Sequence, residues 1–158
     1  MDKITNDEFA DYASAYQTGL YHLAYAILNN EADAQDAVSE ALTKAFEHRN
    51  DLRDRTKFRP WIMKIVMSVA KTMLRKRKRS ILTEDIDLLQ SGSVTETKYS
   101  DLLDMVMTLE PKFRIVVILY YYESFSTVEI SEIMKIPEGT VRSRLTRARE
   151  KLRHMIEL

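Results

Sequence analysis

An all-α protein of two small helical domains, joined by a flexible linker and with a helix-turn-helix in the second, is the fold this sequence predicts. Three observations predict it. Among 158 residues there are only three Gly and three Pro, against abundant Ala, Leu, Glu, Lys, Arg and Met, a composition that favours helix. Apolar residues recur at helical spacing through most of the chain. The stretch Ser126–Leu152, STVEISEIMKIPEGTVRSRLTRAREKL, sets a short capped helix, a Pro/Gly break and a second helix in succession.

The first half reads as three or four helices. Phe9, Tyr12, Ala13, Tyr16 and Leu20 form one amphipathic stripe, and Leu23, Tyr25, Ile27 and Leu28 continue it past Gly19. Asn29-Asn30 makes a turn. Ala34–Phe46 resumes with Ala37, Val38, Ala41, Leu42 and Ala45 as its buried positions. His48–Arg59 is polar, highly charged and poor in periodicity, so a loop or irregular turn is expected. Pro60 suits the first turn of the next helix, whose stripe runs through Trp61, Ile62, Ile65, Val66, Val69 and Leu74. Ser80–Lys98 then turns acidic and loses any stripe, which marks a linker or strap between domains at 1–79 and 99–158.

The second half restarts as a helix over Tyr99–Leu109, through Leu102, Leu103, Val106 and Leu109. Pro111 opens another, Lys112–Tyr122. Its run Ile115–Tyr120 has strong β-propensity, yet no second strand lies nearby to pair with it, so helix is expected. Ser126 and Glu129 have capping-box spacing, and Val128, Ile130, Ile133 and Met134 follow as a stripe. Ile136-Pro137-Glu138-Gly139 breaks that helix, Pro for want of a donor and Gly for its backbone freedom. Val141, Leu145, Ala148 and Leu152 then mark the buried side of the last helix. Between them stand Arg142, Ser143, Arg144, Thr146, Arg147 and Arg149. A row of Arg and Ser/Thr on the free face of a second helix suits a DNA major groove, because the guanidinium fork grips guanine edges or phosphates with two bonds.

Composition excludes several function classes. With no cysteine there are no disulfides, thiolate zinc sites or cysteine nucleophiles. His22, His48 and His154 are scattered, without ligand spacing, and the isolated glycines build no phosphate loop. No catalytic residue, metal or cofactor is expected, and the chain does not read as an enzyme. The longest apolar run, Ile115–Tyr122, is too short to cross a bilayer, and Met1–Asp11 is acidic and polar. The expectation is a soluble, cytoplasmic protein without direct membrane insertion.

The net charge of zero is a sum of opposed faces. Nine acids against Lys3 and Lys44 fall between Met1 and Glu47, whereas six bases and no acid fall between Lys71 and Arg79. Such asymmetry points to one basic or neutral partner and one polyanion. Six bases exceed what the dipole at a helix C-terminus calls for, so Lys71, Arg75, Lys76, Arg77, Lys78 and Arg79 are expected to track a nucleic-acid backbone. Phe58 and Trp61 could stack on an unpaired base, though Trp61 shares its stripe with core residues.

Leu109–Leu152 closely resembles the promoter-reading C-terminal domain of bacterial sigma factors of the extracytoplasmic-function group. ADAQDAVSEALTKAF (Ala32–Phe46) resembles that group's polymerase-binding helix, and FRPWIMKIVMSVAKTMLRKRKR (Phe58–Arg79) its promoter-melting helix. The likeness covers nearly the whole chain and keeps the order of both domains. It implies that Arg142, Ser143, Thr146 and Arg147 face the −35 element, with Arg144 and Arg149 nearer phosphates or the core. It implies that Asp36, Ser39, Glu40 and Thr43 face the β′ coiled coil of core RNA polymerase, and that the second domain meets the β flap. The loop His48–Lys57 would hold a flipped base of the −10 element, the basic helix end would grip its phosphates, and the acidic strap would thread the polymerase channels. An anti-sigma factor is a further expected partner.

The sequence departs from the group's usual residues at Ser39, Leu42, Ser68 and Thr72, where Gln, an aromatic, Asn and Asp are common. Ser68 cannot offer the paired donor and acceptor of an amide, which bears on −10 recognition. Two other readings stand beside this one, a simple helix-turn-helix regulator and a nucleic-acid-processing enzyme. The acidic helix and the long strap disfavour the first, and the missing ligands disfavour the second.

Overall fold

The computed structural model describes residues 3–83 and 102–157, and these divide between two compact units, Met1–Arg75 and Lys76–Leu158. All the regular structure among the described residues is helical. The first unit is built on α1 (Asn6–Leu28), α2 (Glu31–Glu47) and most of α3 (Phe58–Thr83), which continues past the unit's limit at Arg75. Helix α1 passes Gly19 without interruption. The two asparagines between α1 and α2 divide the work of the turn. Asn29 adopts the left-handed conformation (φ 51°) that ends α1, and the Asn30 side chain accepts from the Asp33 amide at 2.9 Å to start α2.

Helix α2 turns a face of small residues inward. Ala34, Ala37, Val38, Ala41 and Ala45 are all buried, which lets its backbone approach α1 closely. Leu42 is half-buried at the edge of that face. Phe58, the first residue of α3, is 1% exposed and is held in an aromatic cluster. Its ring stacks on Tyr12 at 4.7 Å between centroids and meets Phe9 edge-on at 5.7 Å. Phe58 therefore cannot stack on a base, as its sequence position had suggested; Trp61, half-buried beside it, is part of the same packing.

The segment before α3, expected as a loop or irregular turn, contains two short 3-10 turns, Arg49–Asp51 and Arg55–Lys57. Helix α3 continues to Thr83, into the stretch where the linker was expected to begin. The rest of that linker, and the start of the helix expected from Tyr99, lie outside the described residues.

The second unit contains α4 (Leu102–Met107), α5 (Pro111–Val117), α6 (Thr127–Met134) and α7 (Glu138–Glu157). The β-prone run is helical, as expected, but its second half is a π-turn over Ile118–Tyr122, closed by the Glu123 amide donating to the Ile118 carbonyl at 3.0 Å. Leu102 lies 50% exposed rather than inside. The core collects Val106, Phe113, Val116, Leu119, Phe125, Ile130, Ile133, Val141, Leu145 and Ala148. One charged side chain joins it. Arg114 is buried, and its Nη1 donates to the Leu109 carbonyl at 3.1 Å, answering an acceptor left open beyond the end of α4.

Candidate nucleic-acid and partner interfaces

Local chemistry fixes the helix-turn-helix. The Ser126 hydroxyl accepts from the Glu129 amide at 3.1 Å while the Glu129 carboxylate accepts from the Ser126 amide at 3.0 Å, so the capping box forms as the spacing predicts. Val128 is 51% exposed and stands outside the stripe to which the sequence had assigned it. The break differs in its cause from the sequence reading. Lys135, not Gly139, takes the left-handed conformation (φ 57°), and its amide donates to the Ser131 carbonyl to end α6. Gly139 lies within the first turn of α7, at negative φ. Pro137 opens that helix, its carbonyl accepting from Thr140 and Val141 at 3.0 and 3.2 Å. The Thr127 hydroxyl donates to Glu138 at 2.9 Å, tying the starts of α6 and α7 together.

Helix α7 buries Val141, Leu145 and Ala148, with Leu152 half-buried at the end of the stripe. At about 100° per residue the opposite side carries Arg142, Ser143, Thr146 and Arg147, and all four are exposed. The Thr146 hydroxyl donates to the Arg142 carbonyl at 3.0 Å, which leaves its oxygen lone pairs and methyl outward. Arg144 and Arg149 flank the buried stripe on its two sides. Arg144 is half-buried, and Arg149 donates from Nε to the Tyr121 hydroxyl. The six residues singled out in sequence thus separate into four on an open face and two at its edges.

Beside Tyr121 is an apolar groove of about 610 Å³, lined by Leu102, Val106, Val117, Tyr121, Tyr122, Leu152 and Ile156 together with the charged Arg149, Arg153 and Glu157. Leu102, Tyr121, Tyr122 and Ile156 are exposed there, a concentration of large apolar side chains that ordinary surfaces avoid. The sequence showed the residues but not the groove, because the π-turn that sets Tyr121 and Tyr122 toward it has no distinct hydrophobic period.

In the first unit Asp36, Ser39, Glu40 and Thr43 all lie exposed on the outer side of α2, three, four and seven positions apart and hence on one face. Thr43 donates to the Ser39 carbonyl at 3.0 Å, and Glu40 pairs with Lys44 at 3.4 Å. That exposed pair contributes little to folding. Between α1 and α2 a groove of about 480 Å³, lined in part by Tyr21, Gln35, Ser39 and Leu42, borders this face. Burial, with the charge of Glu31, pushes the Tyr21 phenol up from its ordinary range.

The basic run stays helical. Lys71, Arg75, Lys76, Lys78 and Arg79 are exposed and Arg77 is half-buried, while Arg75 reaches the Thr72 hydroxyl at 3.3 Å. Ser68 is exposed on the same helix. In the preceding loop, Thr56 donates to Asp54 from its hydroxyl at 2.6 Å and from its amide at 3.0 Å, which holds the Asp54 carboxyl below the usual carboxylate range. Arg55 pairs with Glu8 and donates to the Lys3 carbonyl, fastening the loop to the start of α1. Among the described residues no group of three His, Asp or Glu is placed to hold a metal, and no helix is long and apolar enough to cross a membrane.

Comparison with known proteins matches both units to families. Residues 13–80 match the family described as Sigma-70 region 2, and residues 99–152 match Sigma-70, region 4. The ECF RNA polymerase sigma factor SigW of Bacillus subtilis is 31% identical over 176 residues, spanning 99% of this chain and 92% of that protein. RNA polymerase sigma factor SigV of the same organism is 30% identical over 140 residues, spanning 87% of this chain and 84% of that protein. Among solved structures, the sigma factor RpoE of Bartonella quintana, in complex with the anti-sigma factor NepR, shares the fold with a TM-score of 0.80 at 22% identity, over 96% of this chain and 98% of that one.

Proposed function

The chain belongs to the extracytoplasmic-function group of RNA polymerase sigma factors, and from that premise we propose how its surfaces divide the work. It is a promoter-specificity factor and not an enzyme, acting through core RNA polymerase and promoter DNA. The face of α7 bearing Arg142, Ser143, Thr146 and Arg147 reads the −35 element in the major groove. Arg144 and Arg149 contact phosphates at its edges. The observation that carries this reading is the open face itself, set opposite the buried Val141, Leu145 and Ala148 in a doubly tied helix-turn-helix.

The exposed acids and hydroxyls of α2, Asp36, Ser39, Glu40 and Thr43, meet the β′ coiled coil. The basic end of α3, Lys71 to Arg79, grips phosphates of the −10 element, and the loop before α3 receives its flipped base. The apolar groove beside Tyr121, with charges of both signs in its lining, suits an amphipathic segment, and we assign it to the β flap. We keep functional domain limits of 1–79 and 99–158 with an acidic linker at 80–98, the helix α3 itself running on to Thr83. The working place is the cytoplasm, where polymerase is. RpoE of Bartonella quintana is solved with the anti-sigma factor NepR, and we extend to this chain the expectation of an anti-sigma partner.

Transcription by core polymerase supplied with this protein tests the reading. Transcripts should start at a discrete subset of promoters drawn from a random pool, and Arg147→Ala should change which upstream sequences are chosen. Core polymerase that starts at the same sites with and without the protein would sink it.

A further inference from the structure

The π-turn at Ile118–Tyr122 has a consequence at the reading helix. A turn closed by an i to i−5 bond holds an extra residue, and such turns rotate the side chains after them relative to an unbroken α-helix. Here Tyr121 meets Arg149 of α7. Its hydroxyl accepts from the Arg149 Nε, and its ring lies 5.6 Å from the guanidinium carbon. Arg149 lies seven residues beyond Arg142 and three beyond Thr146, on the same side of α7 and about 10 Å along the axis from Arg142. Among the described residues no carboxylate pairs with it.

An exposed arginine normally samples many rotamers and loses that freedom when it binds. Arg149 has lost part of it already. With Nε committed to Tyr121, the Nη1 and Nη2 donors remain as a fork that matches phosphate geometry. We propose that Tyr121 is a positioning residue for promoter binding: it fixes Arg149 at the end of the reading face so that the guanidinium meets a backbone phosphate beyond the bases. Tyr121 thereby sets the strength of −35 engagement without contributing base preference. The inference rests on the reading of α7 as the −35 face.

The test uses the full chain assembled with saturating core polymerase, and as probe a promoter duplex that the wild-type holoenzyme selects from random-sequence DNA. Tyr121→Phe keeps the ring and removes the acceptor. It should weaken the promoter complex by about three- to tenfold, the range for one lost hydrogen bond, equally on every single-base variant of the upstream element. Arg149→Ala should weaken it further and lower the salt slope by about one unit. The double variant should be no weaker than Arg149→Ala, and on an Arg149→Lys background, which keeps charge but lacks Nε–H and the fork, Tyr121→Phe should have no effect. Because Tyr121 also lines the groove assigned to the β flap, the core affinity of each variant is measured separately and core is kept saturating for it. Binding by Tyr121→Phe equal to wild type, effects that multiply in the double variant, a loss that vanishes on adding more core, or one that follows a lower melting temperature would each overturn the proposal. Arg147→Ala keeps the two failures apart. If it leaves base discrimination intact, the −35 reading itself fails; if it relaxes discrimination while Tyr121→Phe is silent, only the present inference does.

Discussion

Gly139 is not placed for backbone freedom. Its φ is negative, and a methyl group built on it meets nothing within 4 Å. Gly139→Ala should therefore raise the unfolding free energy by about 0.4–1 kcal/mol, since the substitution restricts only the unfolded chain. Urea denaturation reads this directly, and a loss of stability would mean that the turn needs glycine after all. The arginines of α7 and the bases of α3 should differ in kind. Arg147→Ala should cost about 1–3 kcal/mol at one or two −35 positions if it grips a base edge. Lys76→Ala should weaken DNA engagement almost uniformly and lower the salt slope by about one unit. Holoenzyme binding to promoters with single-base changes, at several salt concentrations, separates the two; an Arg147 variant that loses equally on all of them is a phosphate anchor. Sequence located these residues because exposed Arg and Ser/Thr between apolar positions follow directly from the 3.6-residue period. It misassigned Phe58, because an aromatic at the start of a helix looks alike whether it faces solvent or, as here, Phe9 and Tyr12 from another element.

Among the elements, α2 and α6 make the sharpest claims. Helix α2 packs through alanines and leaves its acids outside, so its outer face is dispensable for folding. Reversing Asp36 and Glu40 to Lys should abolish co-purification with core polymerase while the melting temperature stays nearly constant, as exposed charges contribute little to stability. A double variant that still binds core would remove the β′ coiled coil from this face. Helix α6 has only eight residues and depends on its cap. Ser126→Ala should destabilise the second unit by about 1 kcal/mol, visible in thermal unfolding, because it leaves the Glu129 amide without its acceptor. Element types were readable in the sequence wherever caps and periods agreed, as at Ser126 and Glu129 or Asn29 and Asn30. The π-turn was not. Ile115–Tyr122 is apolar all round, so nothing in its pattern marks where one residue is inserted, and the groove beside Tyr121 was hidden with it. The true end of α6 was also hidden, since a lysine carries the left-handed conformation that Pro137 and Gly139 seemed to announce.

At the scale of the molecule, the zero net charge reflects two surfaces built for different partners. An acidic α2 and a basic α3 end carry opposed charge within one chain, so the free protein gains little from electrostatic attraction to DNA. Two small readers joined through a linker bind well only when a third body fixes their spacing and raises the effective concentration of the second contact. Core polymerase is that body in this account. The most direct measurement compares the free protein with the assembled holoenzyme on one selected promoter duplex at physiological salt, by electrophoretic shift. The free protein should bind weakly with little preference over scrambled DNA, and the holoenzyme tightly, its binding lost when either the −35 or the −10 element is scrambled. Tight, sequence-specific binding by the free protein, unchanged by core polymerase, would contradict that expectation and make the chain a self-sufficient helix-turn-helix regulator.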